Sequence, residues 1–204
     1  MRTSGVLLPV FSLPSPHGIG CFSKEAYEWV DFLKLAGQQY WQILPLGPTG
    51  YGDSPYQSVS TFAGNPYFIS LEDLIEEKLL TREECESCDW GGSESYVDYE
   101  KMYMSRYKLL RKAYERSDFL KDKDYETFLK EEKNWLTGYF LFMAIKNTQK
   151  GICGIDWPDE LKDRHSKAVK EAEKELETEI NFYRFQQYCF TTQWRKLKKY
   201  ANKK

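Results

Sequence analysis

Residues 47–66 combine aromatic rings with short polar side chains in a pattern that suits one kind of ligand. The segment reads GPTGYGDSPYQSVSTFAGNP. Its candidate contact residues are Tyr51, Asp53, Ser54, Tyr56 and Gln57. Aromatic faces pack against the C–H groups of a sugar ring, while hydroxyl, amide and carboxylate groups hydrogen-bond sugar hydroxyls. These residue types therefore favour a carbohydrate ligand.

The same segment is unsuited to phosphate. No lysine or arginine lies between Lys34 and Lys78. The pattern around Gly50 and Gly52 contains neither the lysine nor the further glycine that phosphate-binding loops require. Asp53 is the one acidic residue of the segment, and we expect it to hydrogen-bond sugar or backbone rather than transfer protons. On composition alone, a rigid tyrosine-rich turn that only packs is an equal alternative.

The elements before this segment predict a βαβ unit. Residues 5–8 are a short apolar run, and residues 40–46 are a longer one whose near-continuous apolarity predicts a strand buried on both faces. Between them, Ser23 can cap a helix that ends at Gly37. Such units are almost always right-handed. The loop after a parallel strand is where α/β proteins place ligand sites.

Beyond residue 70 the sequence predicts helices. Residues 1–70 hold seven of the eight prolines and seven charged side chains, whereas residues 71–204 hold one proline and 53 charged side chains. Apolar residues at helical spacing predict helices over 71–80, 96–114, 125–147, 166–179 and 182–201.

The composition excludes several classes of partner. The 29 lysines and arginines nearly balance 31 aspartates and glutamates, so nucleic acid and anionic membranes are not expected. No apolar run is long enough to cross a membrane, and Pro9 interrupts the short apolar stretch that a secretory signal would need. The five scattered cysteines are then expected to be reduced thiols in the cytoplasm.

Other candidate sites give weaker signals. Cys85 and Cys88 have metal-like spacing, but no second pair of cysteines or histidines completes four ligands. We expect neither zinc nor redox chemistry there, and we predict no cofactor. His17 is expected to be a hydrogen-bonded turn residue, with a position near a bound sugar as the alternative. His165 is expected to be exposed.

Longer stretches resemble one enzyme family. Residues 44–58, LPLGPTGYGDSPYQS, and residues 62–67, FAGNPY, closely resemble the 4-α-glucanotransferases, the amylomaltases or disproportionating enzymes of glycoside hydrolase family 77. The likeness continues in residues 12–20, SLPSPHGIG, and in residues 36–42, AGQQYWQ. With further matches in the helical part, it covers essentially the whole chain.

The resemblance implies an α/β fold that forms part of a TIM (β/α)8 barrel. Residues 1–70 would be its first βαβ part with the substrate-binding loops, and residues 71–180 a large helical insertion. Residues 181–204 would be a helix that returns to the barrel and ends before the third strand. The implied activity is transfer of α-1,4-glucan segments between maltooligosaccharides or to glucose, without a cofactor.

The family's catalytic carboxylates have no counterpart in this chain. In the family, a nucleophilic aspartate, an acid/base glutamate and a second aspartate follow later barrel strands. A retaining mechanism needs two carboxyl groups about 5–5.5 Å apart. We therefore expect no catalytic residue here. We also expect the isolated chain to be inactive, and to fold poorly or aggregate without the remainder of the barrel.

The resemblance assigns substrate-binding residues one at a time. Ser54 and Tyr56 match loop positions that face the donor sugar. Tyr51 matches an aromatic position of a secondary glucan-binding groove, with Tyr99 as its candidate partner on the insertion. Asp53 is the fifth substrate-binding residue. For both groove tyrosines the alternative is ordinary packing.

Some residues depart from the family pattern or have another expected role. Asn65 is expected to fix the loop rather than touch substrate. His17, Ser70 and Gly138 differ from the residues usual in the family. Two other functions stay open: a short protein that binds α-glucan without catalysis, and a helical interaction fragment.

Overall fold

A computed structural model describes residues 2–50, 52–93, 95–149 and 151–204. They form two compact units. The first consists of Met1–Ser117 and Cys189–Lys204, and the second of Asp118–Tyr188.

Two short parallel strands begin the first unit. Strand β1 (Gly5–Leu7) pairs with β2 (Tyr40–Gln42). A side chain at Gly5 would meet the carbonyl oxygen of Tyr40 at 2.6 Å, so glycine lets the strands approach. The Trp41 indole donates to the Leu8 carbonyl at 2.7 Å and extends the pairing beyond β1.

The second strand is shorter and less buried than its sequence predicts. It ends at Gln42, and residues 43–46 continue as irregular backbone. Leu7 and Tyr40 are exposed. The prediction of a strand over 40–46, buried on both faces, was therefore wrong for this chain. Within the described residues the sheet has two strands. In larger parallel sheets the crossover helices cover both faces, and two strands with one helix lack that cover.

Helix α1 (Lys24–Leu35) follows the prediction closely. Ser23 is its N-cap residue, but the hydroxyl donates to Glu25 rather than accepting from the backbone. Gly37 has a φ of 69°, the left-handed conformation that ends many helices. Ala26, Val30 and Leu33 are buried and form the predicted stripe.

The later helices agree with the predictions in position more than in length. They are α2 (Leu71–Glu76), α3 (Arg82–Glu86), α4 (Tyr99–Arg116), α5 (Lys123–Glu131), α6 (Lys133–Thr148), α7 (Asp159–Lys162), α8 (Ser166–Glu175) and α9 (Glu177–Ala201). The segment predicted as one helix over 125–147 is divided at Glu132. Helix α3 was not predicted, although Thr81 and Glu84 form the capping box that marks its start.

The core of the first unit packs α9 onto the N-terminal segments. The Phe22 ring lies 5.2 Å from the ring of Phe190 and 5.5 Å from that of Trp194. Gly64 lies so close to Phe190 that a Cβ there would meet the ring at 2.1 Å. The end of α9 thereby holds the backbone that follows residues 47–63.

The second unit has an aromatic core of its own. Phe119 contacts Tyr125 edge-on, with ring centres 4.9 Å apart, and lies 5.5 Å from Phe185. The Tyr188 hydroxyl donates to Asp122 at 2.6 Å. This hydrogen bond lowers the pKa of Asp122.

The three-part division at residues 70 and 180 stays a prediction, since the compact units divide the chain elsewhere. Residues 71–117 belong to the first unit together with the strands. No helix within the described ranges has the length and apolarity needed to span a membrane.

Candidate functional site

Backbone hydrogen bonds hold the loop of residues 47–66 together across its two sides. Thr49 and Ser58 form an antiparallel bridge, and the Gly50 N–H donates to the Gln57 carbonyl at 3.3 Å. At the tip, the Asp53 N–H donates to the Gly50 carbonyl at 3.2 Å. Backbone hydrogen bonds therefore fix the tip of the loop, where the Tyr56 side chain is exposed.

Buried polar side chains hold the base of the loop. The Asn65 N–H donates to the Leu46 carbonyl at 2.8 Å, and its side-chain oxygen accepts from the Tyr67 N–H at 3.0 Å. The Ser58 hydroxyl lies 2.8 Å from the Pro48 carbonyl. Asn65 thus fixes the loop, as the sequence predicts.

Ser54 and Tyr56 share one turn. The Ser54 hydroxyl oxygen accepts from the Tyr56 N–H at 3.3 Å. Tyr56 is 73% exposed, so most of its surface is open to a ligand. Tyr51 lies outside the described residues, and its assigned role stays a prediction.

Asp53 occupies a strained position near other tyrosines. Its φ is 55°, a left-handed conformation that aspartate tolerates better than most residues. Burial raises the pKa of its carboxyl, and a hydrogen bond from the Thr49 side chain acts in the opposite direction. The Asp53 carboxylate raises the pKa of Tyr67 and of Tyr99, in each case after the larger effect of burial. The Asp53 carboxylate therefore lies close enough to Tyr67 and Tyr99 for its charge to affect both hydroxyls.

Tyr99 begins a cluster of tyrosines. Its ring centre lies 6.3 Å from that of Tyr67, which lies 6.4 Å from that of Tyr107. Tyr103 and Tyr107 are 4.7 Å apart. Tyr99 is half-buried and packs against the cluster of Ile19, Tyr67 and Met102. Packing covers much of the Tyr99 surface, and the charge of Asp53 acts on its hydroxyl.

The first loop, residues 11–20, lies beside a cavity of about 1190 Å³. Residues 90–93, 95–97 and Tyr99 complete the lining. His17 is 4% exposed, with its Nδ1 3.1 Å from Oε1 of Glu72. It is a buried turn residue, as predicted.

The cysteine pair has the surroundings of ordinary core residues. Cys85 is fully buried, and burial raises its pKa to about 11. The Cys88 thiol lies 3.4 Å from the Glu84 carbonyl. Across the described parts of the chain, no group of three or more potential ligands could hold a metal ion.

The sequence profile of the 4-alpha-glucanotransferases, glycoside hydrolase family 77, matches residues 8–204. The chain belongs to this family. It is 45% identical to the 4-alpha-glucanotransferase of Clostridium butyricum over 195 residues, which are 96% of this chain and 40% of that enzyme. It is 42% identical to the Thermus thermophilus enzyme over 201 residues, 97% of this chain and 39% of that enzyme.

A solved family structure has the same fold. The amylomaltase of Streptococcus agalactiae, in complex with acarbose, matches the whole chain with a TM-score of 0.94 and 38% identity, over 41% of its own length. The chain therefore spans about 40% of the length of the curated relatives it matches. The family resemblance and the match to part of an amylomaltase are confirmed.

Within this family framework, sequence reasoning missed residues that only packing identifies. The Tyr67 ring centre lies 6.3 Å from that of Tyr99 and within range of the charge of Asp53, but the position of Tyr67 in the sequence predicts only an ordinary core residue. Arg106 is fully buried in α4; the helical spacing of the sequence already places it on the same stripe as Met102, Leu109 and Leu110, but does not show the contacts of its guanidinium. Trp90 lines the cavity, and its neighbours Gly91 and Gly92 were interpreted only as a turn.

Proposed function

We propose that this chain is the glucan-binding first part of a 4-alpha-glucanotransferase. The single observation that carries the proposal is Tyr56, which stands 73% exposed on a turn held by hydrogen bonds at its tip and base. An exposed aromatic ring on a fixed loop binds a sugar at little cost in conformational entropy. Acarbose bound to the amylomaltase of Streptococcus agalactiae supports a glucan ligand.

The binding residues are Ser54, Tyr56, Asp53, Tyr51 and Tyr99. Ser54 and Tyr56 bind the donor sugar, Ser54 by hydrogen bonding and Tyr56 through its ring. The carboxylate of Asp53 accepts hydrogen bonds from sugar hydroxyls, and Tyr51 and Tyr99 contribute aromatic surface at a secondary groove. The ligands are α-1,4-glucans and maltooligosaccharides, and the protein acts in the cytoplasm, where its five free cysteines stay reduced.

The two parallel strands and α1 are the beginning of a (β/α)8 barrel, and the helices between residues 71 and 180 are an insertion in it. The exposed apolar residues Leu7 and Tyr40 of the strands support this. They are the surfaces that further strands and helices of a barrel would cover.

In the whole enzyme, glucan transfer proceeds with retention of configuration. One carboxylate attacks the anomeric carbon, and a second carboxyl group acts first as acid and then as base. The loop at residues 47–66 contains one carboxylate, Asp53. We assign the catalytic pair to the part of the relatives' length that this chain does not span. We expect the chain alone to release no glucose from maltotriose.

Titration calorimetry with maltoheptaose tests the proposal, at chain concentrations below those at which the protein aggregates and after circular dichroism has shown that each variant is folded. The folded wild-type chain should bind, and Tyr56→Ala should weaken binding about tenfold or more because an aromatic sugar contact is lost. Phe62→Ala removes another exposed ring of the same loop and serves as the matched control, with unchanged affinity expected.

Three results would contradict the proposal. They are absence of maltoheptaose binding by the folded wild-type chain, equal effects of the two substitutions, and equal affinity for cellohexaose.

A further inference from the structure

The guanidinium of Arg106 lies where segments of the first unit meet. It is fully buried within α4. Its Nη1 donates to the carbonyl of Ile69 at 2.6 Å. Ile69 follows the short 3-10 helix Pro66–Phe68, which comes directly after the loop at residues 47–66. Arg106 therefore holds the backbone at the exit of the glucan-binding loop.

The other side of Arg106 faces the cavity wall. Its central carbon lies 5.9 Å from the centre of the Trp90 ring. Trp90 lines the cavity beside the first loop, and its indole donates to the Cys85 carbonyl at 2.8 Å. The Trp90 ring also meets His17 edge-on, with centres 5.3 Å apart.

His17 completes a path to the first loop. Its Nδ1 lies 3.1 Å from Oε1 of Glu72 at the start of α2. The path thus runs from the exit of the loop at residues 47–66, through Arg106 and Trp90, to His17. Arg106 thus contacts the exit of one loop directly and the other loop only through Trp90.

Stability alone gives no reason for an arginine at this position. Burial lowers the pKa of Arg106, while the thiol of Cys21 and the carboxylate of Glu72 act in the opposite direction. Its Nε and Nη2 have no oxygen or nitrogen acceptor within the described residues. Replacing a buried charge with an apolar side chain of similar size is often neutral or stabilising. The geometry that Arg106 imposes is what such a replacement would lose.

We propose that Arg106 is a positioning residue that fixes the loop at residues 47–66 relative to the first loop and Trp90 for glucan binding. This inference rests on the proposed function. It requires that the loops be held in place before the ligand arrives, since ordering mobile loops on binding lowers affinity.

Three variants test it. Arg106→Met removes both contacts but keeps a side chain of similar length. Arg106→Lys keeps a charge and a donor for the Ile69 carbonyl but loses the planar group that faces Trp90. Arg116→Met makes the same chemical change on the same helix, where Arg116 pairs with Glu84 on the surface, and is the matched control.

Affinity for maltoheptaose is measured well below the lowest Tm of the set. Arg106→Met should weaken binding about tenfold, because loops that are no longer held in place must be ordered when the ligand binds. Arg106→Lys should recover part of that loss, and Arg116→Met should bind like the wild type. Amide hydrogen exchange should quicken at residues 11–20 and 66–70 in Arg106→Met alone.

The outcomes separate this inference from the proposed function. Unchanged maltoheptaose affinity in Arg106→Met, with a lowered Tm, would make Arg106 a structural residue and overturn the inference alone. Unchanged exchange in both loop segments would overturn it whatever the ligand does. A folded wild-type chain that fails to bind maltoheptaose would remove the proposed function and, with it, the role of Arg106 in binding.

Discussion

Gln193 hydrogen-bonds both backbone groups of Ser70. Its side-chain oxygen accepts from the Ser70 N–H at 2.7 Å, and its side-chain nitrogen donates to the Ser70 carbonyl at 3.3 Å. Both residues are buried. The Ser70 hydroxyl in turn caps α2 by accepting from the Asp73 N–H. One amide side chain therefore joins the end of α9 to the backbone that follows the glucan-binding loop.

Gln193→Met should destabilise the first unit. The substitution preserves the side chain's length but leaves a buried N–H and a buried carbonyl of Ser70 without partners, which costs about 1–3 kcal/mol. Urea unfolding followed by circular dichroism measures the change. Gln193→Glu retains the acceptor for the N–H but buries a carboxylate that faces the Ser70 carbonyl, and should destabilise at least as much as Gln193→Met. Equal unfolding free energies for wild type and Gln193→Met would contradict this account.

Gly64→Ala should destabilise the same unit for a steric reason. A Cβ at Gly64 would meet the Phe190 ring at 2.1 Å, so the ring must move, at a cost of about 1–3 kcal/mol. Gly138→Ala is the contrasting variant, because a Cβ there meets nothing within 4 Å inside α6. It should stabilise by about 0.5–1 kcal/mol through helix propensity. Thermal unfolding of both variants should shift Tm in opposite directions.

The sequence predicts the helices better than it predicts their ends. The stripe of α1 and the glycine after it define that helix from local signals alone. The division of residues 125–147 at Glu132 has no such signal, because neither proline nor glycine lies next to Glu132 in the sequence. Packing of Tyr125 and Phe128 into the aromatic core of the second unit sets the position of α5, and this packing cannot be read from periodicity.

The sequence likewise predicts only part of the candidate site. Ser54, Tyr56 and Asp53 are contiguous in sequence, so a short segment reveals them. Arg106 lies far along the chain from Trp90 and His17, and only the fold joins the three. Helical spacing places Arg106 on the same stripe as Met102 and Leu109, but it does not show which groups the guanidinium contacts.

Stability at acid pH should depend on Glu72. Burial acts to raise the pKa of Glu72, but the hydrogen bond and charge of His17 outweigh it and hold the pKa below the ordinary value of 4.5. A carboxylate with a lowered folded-state pKa stabilises the fold fully above its unfolded-state pKa. That stabilisation is lost as the pH falls through the folded-state value.

Glu72→Gln should therefore reduce the unfolding free energy at pH 7 and flatten its decline as the pH falls below the ordinary carboxyl pKa of 4.5. Urea unfolding at several pH values provides the measurement. Glu28→Gln, which breaks an exposed pair with Lys24, is the control and should follow the wild-type curve. Parallel wild-type and Glu72→Gln curves would refute the role of the pair with His17.

Asp53→Asn should lower the pKa of Tyr99. Burial and the negative charge of Asp53 both raise it in the wild type, and asparagine removes the charge while tolerating the left-handed backbone at this position. Carbon-13 NMR of labelled tyrosines measures the pKa. Tyr139, whose pKa is raised by burial and by Tyr183, is the internal reference and should not change. A Tyr99 pKa that is the same in both proteins would show that the charge of Asp53 does not act on Tyr99.

The exposed apolar surface of the first unit should make the isolated chain aggregate. Leu35 is 88% exposed and Phe32 is 55% exposed on α1, and Phe32 stacks on Trp29. Contiguous apolar patches of this kind are covered in stable soluble proteins. Phe32→Lys with Leu35→Lys should keep the chain monomeric at concentrations where the wild type scatters light. Leu35 points to solvent, whereas Phe32 loses its stacking on Trp29, so the two substitutions together should lower the unfolding free energy by about 0.5–1.5 kcal/mol. A wild-type chain that stays monomeric at high concentration would show that this surface needs no cover.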